Sequence, residues 1–285
     1  EWEFDYMAPF KKLSYKLYFI KDELLNEIDT DIVNLNYTSA VFKGLKVINF
    51  ESTKLVADKG FSFIVSHRFG TVKNGFQNLF GLDEAVTHLN FVYGLSENIN
   101  ISASRSSNQK IYEVASKFRL VNQQAGKIPF TVVGYTSVLA NTSLDTDNLP
   151  KLEFKHRLSY VAQLLVSRKI NNNLSLILSP TFFHDNYLTD DFQGNSQYGL
   201  GFGGRYKLGK RWSFNTEYGV HLNRSENSLY KNPFSIGIDL ETGGHVFQLL
   251  FTNSQSMYTN GVFGTSTGDW GEGDVYFGFN LARSF

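Results

Sequence analysis

The chain of 285 residues contains no cysteine. That excludes a disulfide framework, thiol catalysis and cysteine-ligated metal or haem. It carries no net charge, with 27 Lys and Arg against 27 Asp and Glu. No global field therefore steers anions or nucleic acid toward it, and nucleic-acid binding is not expected. No apolar run reaches the roughly eighteen residues of a transmembrane helix. The mean hydropathy is −0.23. That value suits a membrane β-barrel as well as a soluble protein, because half of each barrel strand faces a polar interior. No His-x-His or His-Glu-x-x-His spacing occurs, so no short metal motif is present. Neither a metal nor a cofactor is expected.

What is abundant is strict alternation. In the terminal segment, Val275, Phe277, Phe279, Leu281 and Phe285 share one face, and Tyr276, Gly278, Asn280, Ala282 and Ser284 share the other. Side chains of a strand alternate faces with period two. The segment is therefore a strand with one bulky apolar face. The pattern recurs at 198–208, 212–222, 234–241 and 112–120. About twelve such runs are bounded by turn residues: 60–69, 86–95, 98–107, 111–121, 129–140, 156–169, 174–185, 196–208, 211–222, 233–242, 245–254 and 275–285. Short connections (Glu97, Asn171-Asn172-Asn173, Gly209-Lys210, Thr242-Gly243-Gly244) alternate with long ones (70–85, 141–155, 186–195, 223–232, 255–274). Transmembrane barrels have short periplasmic turns and longer outer loops. The fold expected is all-β: a transmembrane antiparallel up-and-down barrel of about twelve strands in a bacterial outer membrane, both termini periplasmic.

Residues 1–55 do not read as barrel. Lys21 to Ile28 suits one or two helical turns, and 37–50 suits an extra strand. The expected division is 1–55 as an N-terminal periplasmic arm or plug and 56–285 as the barrel. The first long connection, Asn74 to Leu82, carries Phe76, Leu79 and Phe80 at helical spacing. It suits a short amphipathic helix, on the rim or folded into the mouth.

The polar strand faces collect the candidate lumen-lining residues Glu113, Lys117, Arg119, Arg157, Gln163, Arg205, Lys207, Glu217, His221, Asp239 and Glu241. Buried charges need partners. Opposite charges crossing a narrow interior favour a small or occluded pore, and the same residues also serve to fill and stiffen a barrel. Gly199-x-Gly201-x-Gly203-Gly204 lies inside a strand and precedes no helix, so it is not a dinucleotide loop. It reads as room for curvature or for an inner plug. A nucleophilic triad needs a Ser or Thr oriented by His. Ser66-His67 and Thr87-His88 put neighbours on opposite strand faces, and no enzyme is expected.

The terminal strand resembles the C-terminal assembly signal of bacterial outer-membrane barrels, carried here by Phe277, Phe279, Leu281 and Phe285. Arg283 departs from that pattern and is placed to snorkel to headgroups. Further stretches resemble an uncharacterised family of Bacteroidota outer-membrane barrels: Phe42 to Asn49, Val65 to Thr71, Leu79 to Asp83, Tyr93 to Leu95, Gly203 to Arg205, Glu241 to Leu249 and Thr267 to Gly271. The resemblance spans about 40–285. It implies an outer-membrane barrel made with a cleaved signal and supplies no activity or site. Outer-membrane lipid and, during biogenesis, the barrel-assembly machinery are the expected partners, with other outer-membrane proteins left open. Two functions follow: a porin-like small-solute channel with a narrow charged lumen, or a structural or accessory subunit of a larger outer-membrane complex.

Overall fold

The computed structural model describes residues 41–188 and 193–285. Twelve antiparallel strands close into one barrel. They are β1 (Phe61–Thr71), β2 (Ala85–Ser96), β3 (Ile99–Ser106), β4 (Ile111–Val121), β5 (Thr131–Asn141) and β6 (Leu158–Lys169). The second half comprises β7 (Leu174–Asp185), β8 (Ser196–Lys207), β9 (Trp212–His221), β10 (Phe234–Thr242), β11 (His245–Thr252) and β12 (Tyr276–Ser284). Each strand pairs with its sequence neighbours, and β1 closes on β12 with Ser62 opposite Ser284 and Val65 opposite Leu281. The seam ends with the Phe285 amide donating to the Phe61 carbonyl at 2.8 Å. Closure leaves no free edge, which is the condition for a sheet in lipid.

Alternation places the two faces. In β7, Ser175, Ile177, Ser179, Thr181 and Phe183 are buried, while Leu176, Leu178 and Phe182 are exposed. Along most strands buried polar side chains alternate with exposed apolar ones, while β5 to β7 also bury Val133, Leu139, Val161, Leu165, Ile177 and Phe183 on the inner face. Covering a Leu or Phe side chain is worth about 1.5–3 kcal/mol, so this outer wall is stable against lipid rather than water. Aromatic rings stack across strands on that wall. Phe69 and Phe251 flank Phe277 at 5.7 Å and 5.5 Å, and Phe61 meets Phe285 at 6.0 Å.

An up-and-down course puts 97–98, 122–130, 170–173, 208–211 and 243–244 on one rim, with the start of β1 and the end of β12. The opposite rim carries 72–84, 107–110, 142–157, 186–188 and 193–195, 222–233 and 253–275. The link 107–110 is short because Gln109 and Lys110 turn the chain tightly at φ 51° and 48°.

Several local expectations need correction. The segment after residue 40 is not an extra strand but an irregular hairpin inside the barrel. The helical turns expected at 21–28 lie outside the described residues. Val72–Gly81 forms 3-10 turns at the rim instead of an α-helix, because Gly75, Asn78, Leu79 and Phe80 leave helical φ/ψ. Phe76, Leu79 and Phe80 point to the surroundings and not into the mouth. Val275 precedes β12 and is buried, so it does not share the outer face of Phe277. Arg157 lies in a 3-10 turn before β6, at the mouth and not in the wall.

Candidate functional site

The barrel interior is occupied. Residues 41–57 enter it as a hairpin, closed by the Val47 amide to the Phe50 carbonyl at 2.8 Å and the Ser52 amide to the Leu45 carbonyl at 3.0 Å. Val41, Phe42, Leu45, Val47, Ile48 and Phe50 are all buried. The hairpin shows no period-two split, because the barrel wall surrounds it on every side. Its apolar tip rests on strand positions with no side chain. A Cβ on Gly201 would come within 3.0 Å of the Phe50 ring, and one on Gly219 within 2.9 Å. The glycines visible in the sequence of β8 and β9 are therefore a docking surface.

Polar groups clamp the tip. Glu217 of β9 accepts from three successive backbone amides: Ile48 at 3.1 Å, Asn49 at 2.8 Å and Phe50 at 3.0 Å. Hydrogen bonds to a charged group contribute about 1.5–3 kcal/mol each, so this carboxylate is the strongest single anchor. Arg68 of β1 donates to Asn49 Oδ1 at 2.8 Å and to Asn280 Oδ1 at 3.0 Å. Asn280 Nδ2 in turn donates to the Ile48 carbonyl at 3.0 Å, and Gln248 Nε2 to that of Val47 at 2.8 Å. The shaft is held by charge. Glu51 lies 2.8 Å from Lys117 and 3.0 Å from Lys46, and Lys43 lies 2.9 Å from Glu241. Burial pushes the Glu51 carboxyl up, but the Lys117 and Lys46 ammoniums outweigh it and hold it at about 2.

A second element enters the barrel mouth from the opposite rim. The connection 253–275 turns inward and forms the short helix α1 (Thr259–Gly264). Met257, Tyr258, Val262 and Phe263 are buried. Phe263 stacks on Phe50 of the hairpin at 5.0 Å, nearly parallel at 8°. Lys46 Nζ donates to the Met257 carbonyl at 2.8 Å, a second bond between the two elements. Two spaces beside the hairpin measure about 20 Å³ and about 30 Å³. Each has room for a water or two.

The residues singled out by sequence separate into groups. Lys117, Glu217 and Glu241 hold the hairpin. Asp239 accepts from Gln248 Nε2 at 2.6 Å and so braces the clamp. Glu113 accepts from Tyr135 at 2.8 Å and Ser104 at 3.1 Å, and Gln163 donates to Thr181 at 2.8 Å. Arg205 is buried and donates Nε to Ser213 at 3.0 Å. His221 is buried against Phe183 at 5.5 Å. Arg119 and Lys207 are half-buried toward the rim of short turns, and Arg157 is at the far mouth. Phe277, Phe279 and Leu281 are half-buried and Phe285 is exposed. Of these charged residues, Lys117 and Glu241 form ion pairs with the hairpin. Arg68, Asn49, Asn280 and the Phe50–Phe263 stack escaped sequence reasoning, since no local pattern marks a contact between distant segments.

One motif also escaped it. Gly264-Thr265-Ser266-Thr267-Gly268 has the G-x-S-x-G spacing of a nucleophile elbow. Such an elbow exposes its Ser on a strand-to-helix turn. Ser266 instead follows α1, is fully buried and donates its hydroxyl to the Val262 carbonyl at 2.7 Å. Among the described residues, no cluster of three or more metal-ligating side chains occurs.

Comparison with known proteins agrees with this fold. The NanC porin superposes with a TM-score of 0.50 at 11% identity, over 79% of this chain and 98% of that one. The KdgM porin gives 0.48 at 9% identity, over 79% and 98%. Variants of the Rh. blastica porin give 0.33 at 10% identity, over 70% and 55%. No curated protein matches the sequence. At these identities the NanC likeness is one of fold. Residues 42–285, hairpin and barrel together, match the family model described as membrane bound beta barrel domain (DUF5777), and the chain belongs to that family.

Proposed function

We propose that the protein is a gated, porin-like barrel of a bacterial outer membrane, closed in the state described here by its own residues 41–57. The observation that carries this reading is the hairpin itself. It fills the lumen, yet it shares no strand ladder with the wall and is held by side-chain bonds and ion pairs. Held in this way, it can leave without breaking any of the wall's own strand pairing. In this reading the rim of short turns faces the periplasm, and Glu113, Lys117, Arg205, Glu217, Asp239 and Glu241 line the path once the hairpin leaves. The likeness of Phe42 to Asn49 and Glu241 to Leu249 to Bacteroidota barrels supports that location. Phe277, Phe279, Leu281 and Phe285 then serve recognition by the assembly machinery.

Planar-bilayer recording tests the proposal. The full chain is expected to be silent or to open rarely. A chain lacking residues 1–57, with insertion verified by heat-modifiable gel mobility, is expected to conduct steadily. Equal silence from an inserted deletion variant refutes the channel. The accessory-subunit reading, supported by exposed Phe76, Leu79 and Phe80 at the rim, then takes its place.

A further inference from the structure

At the rim opposite the hairpin's entry, five connections converge on a cavity of about 90 Å³. Gln109, Arg157, Asp185, Gln197, Tyr230 and Asn260 are among its lining residues. None of them clamps the hairpin. We propose that this cavity binds one small polyhydroxylated unit, a single sugar ring. The volume sets the size. It lies well below the roughly 300 Å³ at which sites for drug-sized ligands begin and below the roughly 150 Å³ of a cavity that encloses benzene, so it seats one edge of a ring, with the remainder at the open mouth, and not a polymer or peptide.

The lining sets the chemistry. Asp185 is held by two neutral amides, Asn260 at 2.8 Å and Gln197 at 3.1 Å. Arg157 donates to the carbonyls of Asn141 at 3.3 Å and Leu144 at 2.7 Å. The two charges line one cavity, and each of these bonds is to a neutral group. Hydroxyls both donate and accept, so vicinal hydroxyls satisfy a carboxylate, a guanidinium and amides together. The buried Asn260 Oδ1 has no donor among the described residues. The Tyr230 side chain gives the ring's C–H face a partner. The floor is preorganised, because α1 is pinned from below: Phe263 stacks on Phe50 and lies 6.2 Å from Phe183. A site on rigid support loses less on binding.

The test is saturation-transfer NMR on the full chain in lauryldimethylamine oxide, a detergent with no sugar headgroup. Glucose, galactose and mannose are offered at millimolar concentration, with free alanine as the zwitterionic control. Transfer to at least one sugar is expected, with Kd raised at least about tenfold in Asp185→Asn and in Arg157→Ala. Arg157 is at the mouth, outside the strands, so its variant carries the test if Asp185→Asn fails to fold. No transfer to any of the three sugars overturns the proposal. So does transfer that neither folded variant weakens, or transfer to alanine without any to a sugar.

Discussion

Replacing Glu217 by Gln removes the charge at the centre of the clamp and keeps the side-chain size. Two of the three amides, those of Ile48 and Phe50, go to one carboxylate oxygen, and the amide of Asn49 goes to the other. An amide side chain offers one oxygen. If that oxygen keeps Ile48 and Phe50, both bonds weaken from charged to neutral, about 1 kcal/mol each. The Asn49 N–H then faces an NH₂ group and loses its bond, a further 1–3 kcal/mol or so. The hairpin is destabilised in the lumen by about 3–5 kcal/mol. At roughly 1.4 kcal/mol per factor of ten, its released population rises at least about a hundredfold. The absence of native cysteine makes the assay clean. Ser52→Cys places a thiol on the hairpin at a fully buried position. Its reaction with a membrane-impermeant maleimide reports release. Glu217→Gln is expected to raise the labelling rate about a hundredfold over the Ser52→Cys parent. A rise below about threefold, in protein with normal heat-modifiable mobility, refutes the clamp.

Two further outcomes follow from the same geometry. The Glu51 carboxyl sits at about 2 in the closed state, against 4.5 for the free group. A depressed folded pKa contributes stability above the free value and loses it as pH falls toward the folded one. Labelling of Ser52→Cys, corrected for thiol reactivity, should therefore rise as pH falls from about 4.5 toward pH 2; no rise down to pH 2.5 contradicts the Lys117–Glu51–Lys46 cluster. Gly219→Ala puts a methyl within 2.7 Å of Pro233 and 2.9 Å of both Phe263 and Phe50. Overpacking of this kind costs about 1–3 kcal/mol, and the labelling rate should rise about five- to a hundredfold with the barrel intact.

How much of this was legible beforehand follows from the range of each signal. Strand alternation is local, so the run 174–185 displays its buried and exposed faces before any partner is known, and β7 occupies those residues. The rims are legible from connection lengths, which alternate along the chain except at 107–110 and 122–130. Arg157 was misplaced because alternation does not mark the residue at which a strand begins. Residues 41–57 have no period, since they are walled in on all sides, and their sequence resembles a strand as much as a plug. The glycines of β8 announced a close approach without naming what approaches.

The amino-acid sequence by itself determined an antiparallel membrane barrel of twelve strands and its two faces, because each of these rests on period-two patterning between neighbours in the chain. Only the tertiary structure decided that a hairpin occupies the lumen. Glu217 meets the amides of Ile48, Asn49 and Phe50 across 167 to 169 residues, and Phe50 meets Phe263 from the opposite rim. Such contacts arise from where barrel closure brings distant segments, and no local pattern records them.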